Sequence, residues 1–319
     1  MSIQLNPLIE KVSAFAPATS ANLGVGFDIL GLALDAVGDT VHLTKRSDGQ
    51  IIIEKINSVE GLPLNSQQNT ASFALQQMCL DLGINCGFSL TIDKGIAIGS
   101  GMGGSAASAV AAVVALNGFL QQPVDKSSLV KYALYGEELA SGGRHADNVA
   151  PCVFGGITLI HNLDPLAVIS LPYPELVAVI IHPHLTVKTK EARAILSSNI
   201  NLKQYIAQSA KLAATISAFY QQDAQLLSSS LQDLIIEPQR SQLITGFNQV
   251  KQAALEQQAL AVMLSGSGPS LLALCHNQIQ ASQVASAMQK TFSQFQIASD
   301  YWISPINPHG AHIQKCNCS

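Results

Sequence analysis

The first half of the chain is dominated by short runs of branched and apolar residues separated by glycine, aspartate and asparagine, a pattern typical of β-strands. These runs predict strands at 12–17, 29–34, 40–45, 51–56, 88–92 and 157–161. Apolar residues at helical spacing predict helices at 70–82, 106–120 and 127–140. Gly83 directly follows the first of these helices, where it is expected to form the C-terminal cap.

The second half alternates strands with helices. The pattern predicts strands at 176–182, 259–264, 271–276 and 297–303 and helices at 189–197, 203–220, 243–256 and 281–292. Asp164-Pro165, Pro172 and Pro174 lie between the two halves, so we place a domain boundary there and expect domains at 1–165 and 166–319. The chain is therefore expected to be α+β, with two α/β-layered domains.

The last residues include His309, His312, Cys316 and Cys318, which are metal-ligand types at short spacing. No second ligand cluster accompanies them in the sequence. We therefore interpret this segment as a solvated tail, with a zinc site as the alternative.

Charge and composition exclude several classes of protein. The 319 residues carry 17 Lys and Arg against 21 Asp and Glu, and this net charge of -4 argues against a nucleic-acid partner. Only 12% of residues are charged and 48% are hydrophobic, which argues against disorder. Mean hydropathy is +0.27, but the longest aliphatic run, 109–116, falls well short of the ~20 residues that a membrane-spanning helix needs. No membrane association is therefore expected.

The cellular setting is inferred from the N-terminus and the cysteines. Residues 1–11 lack the pattern of a secretory leader. The six cysteines are scattered, so free thiols in the cytoplasm are expected. The low share of charged residues leaves much uncharged surface, and a homodimer is expected.

Gly99, Gly101, Gly103 and Gly104 directly precede the predicted helix at 106–120. Glycine lets the backbone approach a ligand closely, and a helix N-terminus adds unpaired N–H groups and a positive dipole end. The segment therefore predicts a phosphate-binding loop. A P-loop is disfavoured because Gly-Lys-Ser/Thr is absent, and a dinucleotide fingerprint is disfavoured because no strand ending in an acid follows the helix.

Three segments together resemble the signature motifs of the GHMP small-molecule kinases: 16–28, the glycine loop 99–108, and 264–270. Within that superfamily, the first segment is similar to the homoserine kinase family, as are 144–148, 189–196 and 237–240. The resemblance implies the GHMP kinase fold, with an active site in the cleft between the two domains. Three positions depart from the superfamily pattern: Ala97 replaces a proline, Met102 a leucine and Gly104 a serine.

The resemblance also implies the nucleotide site. The loop that wraps the phosphates of ATP would comprise Gly95, Ile96, Ala97, Ile98, Gly99, Ser100, Gly101, Met102, Gly103, Gly104 and Ser105. Ser105 and Glu137 would hold Mg²⁺, a hard cation that prefers oxygen ligands. Adjacent helical residues point about 100° apart, so only one of Glu137 and Glu138 can face the site. Asn69 is expected to approach the nucleoside.

The acceptor site implied by the resemblance suits L-homoserine, a zwitterion with a primary hydroxyl. Arg193 and Arg240 would bind its carboxylate, because guanidinium forks match carboxylates. Asp28, with His145 nearby, would accept hydrogen bonds from the ammonium group. Asn22 would orient the attacking hydroxyl.

The catalytic base is the open point of this interpretation. Asp147 is the candidate, with Asp28 as a second. A loose transition state needs little prior deprotonation, so a mechanism without a dedicated base is the alternative. The segment 266–268 is expected either to form a tight turn or to approach the site from the second domain.

The expected activity is ATP-dependent phosphorylation of L-homoserine to O-phospho-L-homoserine and ADP, a step of threonine biosynthesis. One alternative is another GHMP kinase that acts on mevalonate or a sugar, and a second is a GHMP-fold binding protein without catalysis. The cation pair Arg193 and Arg240 favours an amino acid over a neutral sugar. The presence of Ser105 and Glu137 beside the glycine loop favours an enzyme.

Overall fold

The computed structural model describes residues 4–318. Along this range the strands are β1 (Ile9–Ala21), β2 (Leu30–Arg46), β3 (Ile51–Asn57), β4 (Gly87–Asp93), β5 (Ile157–Leu163), β6 (Leu166–Leu171), β7 (Val177–Pro183), β8 (Ala261–Leu264), β9 (Leu271–Cys275), β10 (Ser299–Pro305) and β11 (His312–Cys318). The helices are α1 (Thr70–Leu82), α2 (Gly104–Asn117), α3 (Lys126–Ser141), α4 (Ala146–Phe154), α5 (Thr189–Ala194), α6 (Leu202–Gln221), α7 (Ala224–Ser230), α8 (Glu237–Arg240), α9 (Phe247–Glu256) and α10 (Gln278–Gln294). A 3₁₀ turn, Ser241–Leu243, follows α8.

The first sheet has seven strands, with β11-β1-β2-β4-β3 in spatial order and the β5–β6 hairpin attached to β2. β3 and β4 are parallel, and the other pairs are antiparallel. The strands predicted at 29–34 and 40–45 form the single long strand β2, whose first residues pair with β5 and whose last residues pair with β4. The bend between them is stabilised from outside the sheet, since Ser304 Oγ accepts hydrogen bonds from the amides of Asp35 and Ala36.

α2 is the central helix of the molecule. Every residue from Ala106 to Leu116 is buried, so the helix is apolar on all sides, as expected of an interior helix. It packs against β1 and β2 on one side and against α1 and α3 on the other. Alanine and valine keep the helix thin enough to fit between these layers. Contacts along the whole length of α2 therefore fix the position of its N-terminus.

The second sheet has the order β10-β7-β9-β8 and is antiparallel throughout. Alternate residues of β7 face opposite sides, as strand geometry requires. Val179 and Ile181 pack with α9 and α10 in a second core, whereas Ala178 and Ile180 join the large core of the first sheet. The two halves of the molecule thus share buried apolar surface.

The sheets do not change at the predicted boundary. Residues 164–165 form the turn of the β5–β6 hairpin, where Leu163 pairs with Leu166, and β6 still belongs to the first sheet. The transition to the second sheet lies between Leu171 and Val177. The division into 1–165 and 166–319 therefore cuts through a hairpin, because Pro165 in its turn and Pro172 and Pro174 after it resemble a linker in sequence.

The segment interpreted as a solvated tail is a strand of the first sheet. β11 pairs with β1 from Ile9 to Phe15, although most of its side chains are exposed. Among the side chains that the structure describes, residues 4–317, no group of three or more His, Cys, Asp and Glu is arranged to hold a metal, and the side chain of Cys318 lies outside this set. The same range contains no helix with the length and apolarity needed to cross a membrane.

Candidate active site

A cleft of about 500 Å³ lies where the glycine loop, the β1–β2 connection and the second half of the chain meet. Most of the sequence-predicted site residues line it: Asn22, Asp28, Asn69, Ala97, Ile98, Gly99, Ser100, Gly101, Gly103, Gly104, Ser105, Glu137, His145, Asp147, Arg193 and Arg240. Three predicted residues, Gly95, Ile96 and Met102, do not line it. Ile96 and Met102 are buried in the core at 1% exposure, so they support the loop rather than face the cleft.

The glycine loop leads directly into the N-terminus of α2, where the first turn carries N–H groups without helical acceptors. Gly101 has φ 79°, and a Cβ there would lie 2.5 Å from the carbonyl oxygen of Ser265 and 2.6 Å from that of Gly268. This close approach requires glycine. Residues 265–268 thus pack directly on the glycine loop, and the same segment lines the cleft at Gly266 and Ser267.

A buried ion pair beneath the loop joins its two ends. Asp39 is 0% exposed, and its Oδ1 accepts hydrogen bonds from the amides of Gly95 (3.1 Å) and Ile96 (3.2 Å) at the loop's start. Its Oδ2 is paired with Lys94, which is 7% exposed. Lys94 Nζ also donates to the Gly104 carbonyl (2.9 Å) and to Ser108 Oγ (3.1 Å) at the loop's end.

This network gives Lys94, Gly95 and Ile96 a structural role in the loop. An ammonium group has three N–H donors, and those of Lys94 meet three protein acceptors, so this lysine holds the loop in shape. The Gly95 and Ile96 amides already donate to Asp39. The part of the loop that faces the cleft therefore begins at Ala97.

Ser105 and Glu137 meet at the start of α2. Ser105 Oγ donates to Glu137 Oε2 at 2.8 Å, and Glu137 is 7% exposed. Burial raises the pKa of Glu137 to about 7, although hydrogen bonds from Ser105 and Ser141 oppose this shift. The neighbouring Glu138 is half exposed and lies 3.6 Å from Arg144 Nε, so Glu137 is the glutamate that faces the cleft.

Asp147 lies in the first turn of α4, a helix that hydrophobic periodicity did not predict. Its side chain is 3% exposed. Burial raises the pKa of Asp147 to about 7, and the nearby carboxylates of Asp28 and Glu137 add to this increase. The cleft thus contains three carboxyl groups that influence one another.

The acceptor side of the cleft is built from two arginines, an aspartate and a ring. Arg193 donates from Nη2 to Asp28 Oδ1 (2.8 Å) and from Nη1 to Asp28 Oδ2 (3.1 Å). His145 Nδ1 lies 3.7 Å from Asp28 Oδ1. The guanidinium carbons of Arg193 and Arg240 lie 5.3 Å and 4.9 Å from the centre of the Phe27 ring, within cation–π range.

Asn22 connects the first motif to the third. Its Nδ2 donates to the Gly266 carbonyl (2.9 Å), and its Oδ1 accepts from the amide of Asp28 (3.0 Å). The same Gly266 carbonyl accepts a hydrogen bond from Arg240 Nη1 at 3.2 Å. Asn22 therefore fixes the position of Asp28 and ties it to the loop next to Arg240.

Several residues that shape the cleft were given no role from the sequence. Among them are Asp39 and Lys94, and also Thr19 and Asn148, which lie inside the segments 16–28 and 144–148. Thr19 Oγ1 donates to Asn148 Oδ1 at 2.8 Å behind Gly103, where a Cβ would clash with both side chains. Lys94 directly precedes the glycine loop, and this position is a usable signal. Asp39 lies 55 positions before Lys94, and nothing in the sequence connects it with the loop.

A further part of the cleft adjoins the glycine loop, and of its residues only Asn69 and Ile98 were predicted from the sequence. It is lined by Leu62, Pro63, Gln68, Asn69, Thr70, Ile92, Ile98 and Ala140. Asn69 is the N-cap of α1, where its Oδ1 accepts from the Ala71 amide, and its Nδ2 donates to the Pro63 carbonyl at 3.2 Å. Its amide thus holds the 62–63 segment over the cleft.

Comparisons with known proteins show the family of the chain. The family described as GHMP kinases N terminal domain matches residues 69–156, and GHMP kinases C terminal matches residues 215–294. A protein named homoserine kinase from Xanthomonas campestris pv. campestris (strain B100) is 42% identical, covering 96% of this chain and 94% of its own. A second from Chlorobaculum tepidum is 39% identical, covering 96% and 98%.

Solved structures show the same fold. The crystal structure of homoserine kinase from Cytophaga hutchinsonii has a TM-score of 0.93 at 41% identity and covers 97% of this chain and 99% of its own. L. major mevalonate kinase, in complex with R-mevalonate, has a TM-score of 0.74 at 14% identity, covering 96% and 100%, and shows a shared fold alone.

The two family matches and the fold define a kinase of the GHMP class. Within that class, the full-length identities are decisive: the chain belongs to the homoserine kinase family.

We predict that Lys94→Met lowers the free energy of unfolding by ~3–5 kcal/mol, because it leaves the Asp39 carboxylate buried without its partner. The double variant with Asp39→Asn should lose less than the sum of the two single variants, since the pair acts as a unit. Urea denaturation measures all three. Asp48→Ala, which breaks the more exposed Arg46–Asp48 pair, is the control and should change the free energy of unfolding much less than Lys94→Met does. Additive losses at Asp39 and Lys94 would contradict the pairing.

We also predict that the stability of the protein without ligands falls as pH rises from about 4.5 to about 7. Over that range Glu137 is protonated in the folded state and ionised in the unfolded state, so unfolding releases a proton. Glu137→Gln should reduce the slope by at most ~1.4 kcal/mol per pH unit, the value for one proton. The measurement is urea denaturation across this pH range. Glu138→Gln, at the exposed neighbour, should leave the slope unchanged, and an equal effect of both variants would refute the assignment.

Proposed function

We propose that the protein transfers the γ-phosphoryl group of ATP to the hydroxyl of L-homoserine, giving O-phospho-L-homoserine and ADP in threonine biosynthesis. One observation supports this proposal: the glycine-rich N-terminus of α2 and a cluster of Arg193, Arg240 and Asp28 line the same cleft. The first suits the phosphates, and the second suits a zwitterionic amino acid. The family membership supports the same reaction.

The nucleotide is proposed to lie along the glycine loop. Backbone N–H groups at the start of α2 would bind its phosphates, helped by the positive end of the helix dipole. The apolar residues Leu62, Pro63 and Ile98, with Asn69, would contact the nucleoside. Lys94 and Asp39 act from below by holding the loop in its binding shape.

The residues present fit a magnesium ion. Ser105 and Glu137 offer a hydroxyl and a carboxylate oxygen at one point of the cleft, and oxygen ligands are those that Mg²⁺ prefers. Burial raises the pKa of Glu137, so a cationic partner would favour its ionised form. When bound, the ion would neutralise phosphate charge.

L-Homoserine is proposed to bind with its carboxylate at Arg193 and Arg240 and its ammonium group at Asp28, close to His145. Arg240 is held rigidly for this role: it is 3% exposed, and its Nε donates to the Ala192 carbonyl at 3.1 Å. Asn22 keeps Asp28 in place through the Asp28 amide. Its Oδ1 retains a second lone pair, so it can also orient the substrate hydroxyl.

In the proposed transfer, the homoserine oxygen attacks the γ-phosphorus, and the bond between that phosphorus and the β–γ bridging oxygen breaks to release ADP. The hydroxyl proton is assigned to Asp147. A base works best when its pKa is close to the working pH, and the pKa of Asp147 is raised to about 7. Transfer without a dedicated base is the alternative.

We infer in addition that the protein is a cytoplasmic homodimer, as composition and the scattered cysteines indicate. Exposed apolar side chains on one face of α6, among them Leu202, Tyr205 and Ile206, are consistent with self-association. Sedimentation equilibrium tests the oligomeric state, and a monomer at micromolar concentration would exclude a stable dimer.

The activity is tested by ADP release from Mg²⁺-ATP with L-homoserine, D-homoserine, mevalonate and galactose as separate acceptors. We expect turnover with L-homoserine alone, because only an amino acid of one chirality can meet Arg193, Arg240 and Asp28 together. Turnover with another acceptor would replace the substrate, whereas ATP binding without any turnover would favour a binding protein.

The role of Asp147 is tested by Asp147→Asn, which keeps the shape of the side chain and removes the proton acceptor. We expect kcat to fall by about 10²–10⁴-fold with KM for both substrates little changed, the usual size of a general-base contribution. Steady-state kinetics gives both constants. A loss of less than about tenfold would establish transfer without a dedicated base.

A further inference from the structure

The acceptor side of the cleft contains an ion pair, Asp28–Arg193, in which the two charged groups bind each other. Both carboxylate oxygens of Asp28 accept from the two terminal nitrogens of Arg193, at 2.8 Å and 3.1 Å. The two side chains are 30% and 39% exposed, and both line the cleft. A bidentate pair of this kind is stronger than a single contact. The two groups proposed to receive the substrate's charges are thus bound to each other.

The surroundings fix the pair on its protein side. Asp28 has φ 63° and is tied by its amide to Asn22, so its backbone cannot shift freely. The Phe27 ring lies against the guanidinium of Arg193. His145 is 3.7 Å from Asp28, and Arg240 and Asp147 act on it electrostatically from further away. The pair is therefore open to a ligand from the cleft.

The number of charges on the ligand decides what opening this pair costs. A ligand with only a carboxylate that binds Arg193 takes the partner of Asp28 and leaves that carboxylate unpaired. A ligand with only an ammonium group leaves Arg193 unpaired in the same way. A zwitterion replaces one ion pair with two, so no charge is left without a partner, and an unpaired, partly desolvated charge is what costs most.

We infer that the Asp28–Arg193 pair is a specificity filter that opens for a ligand carrying both charges and disfavours ligands carrying one. This inference rests on the proposed function, since it takes the same two residues as the substrate's partners. The alternative geometry is a carboxylate that binds the donors of Arg193 not used by Asp28, of which three remain. In that case the pair stays closed, and Asp28 has no influence on single-charge ligands.

The filter is tested by calorimetric titration of three ligands: L-homoserine, 4-hydroxybutanoate, which lacks the ammonium group, and 3-amino-1-propanol, which lacks the carboxylate. Asp28→Asn frees Arg193, so it should bind 4-hydroxybutanoate about tenfold more tightly than the unaltered protein and L-homoserine about tenfold more weakly. Arg193→Gln frees Asp28, so it should bind 3-amino-1-propanol more tightly and L-homoserine more weakly. These opposite signs are the signature of the filter.

A purely structural role for the pair predicts that both ligands bind more weakly to each variant, and that result would overturn the inference. So would an unchanged affinity for 4-hydroxybutanoate in Asp28→Asn. Asp48→Asn, which removes a similar arginine–aspartate pair outside the cleft, controls for loss of an ion pair as such. If one variant fails to fold, the other still decides. Absence of L-homoserine turnover in the unaltered protein instead refutes the proposed function.

Discussion

The geometry of the cleft depends on one buried ion pair beneath the glycine loop. Asp39 binds the amides where the loop begins, and Lys94 binds the carbonyl where α2 begins, so the pair fixes the distance between the loop's two ends. A loop rich in glycine has high conformational entropy and would not hold this shape alone. The Asp39–Lys94 ion pair restrains the loop. The pair is stable in the interior because the carboxylate oxygens of Asp39 and the N–H groups of Lys94 all have hydrogen-bond partners.

Around that fixed loop, the cleft arranges charged groups that match the charges of the proposed reactants. Glu137 and Asp147 are buried carboxyl groups on the phosphate side, and burial raises the pKa of both to about 7. The two arginines lie on the proposed acceptor side, and both are within cation–π range of the Phe27 ring. Buried carboxyl groups with strongly shifted pKa values in a cleft are typical of functional sites.

The sequence predicts the features that depend on local patterns and misses those that depend on contacts between distant residues. The helices α1 and α3 and the strand β3 are local patterns, and they were predicted to within one or two residues. The short helix α4 carries Asp147 but contains Pro151 and is too brief for a periodic signal. The partnership of Asp39 with Lys94, and of Asn22 with Gly266, joins residues far apart in the chain, so no local pattern contains it. Motif resemblance supplied the residues that face the ligands, whereas the residues that hold them in place required the fold.

The pairing of β11 with β1 has a consequence for biosynthesis. β1 ends within the first motif, and β11 covers its outer edge. In the chain, β11 follows all the other strands of this sheet, so it leaves the ribosome after them. The nascent chain can pair β1 with β2 early, but the other edge of β1 stays open until residues 312–318 have been made. An open strand edge is a site for pairing with other chains. β11 therefore protects the edge of β1. A chain that is truncated shortly before His312 contains all the residues of the cleft but exposes this strand edge, which is prone to aggregation.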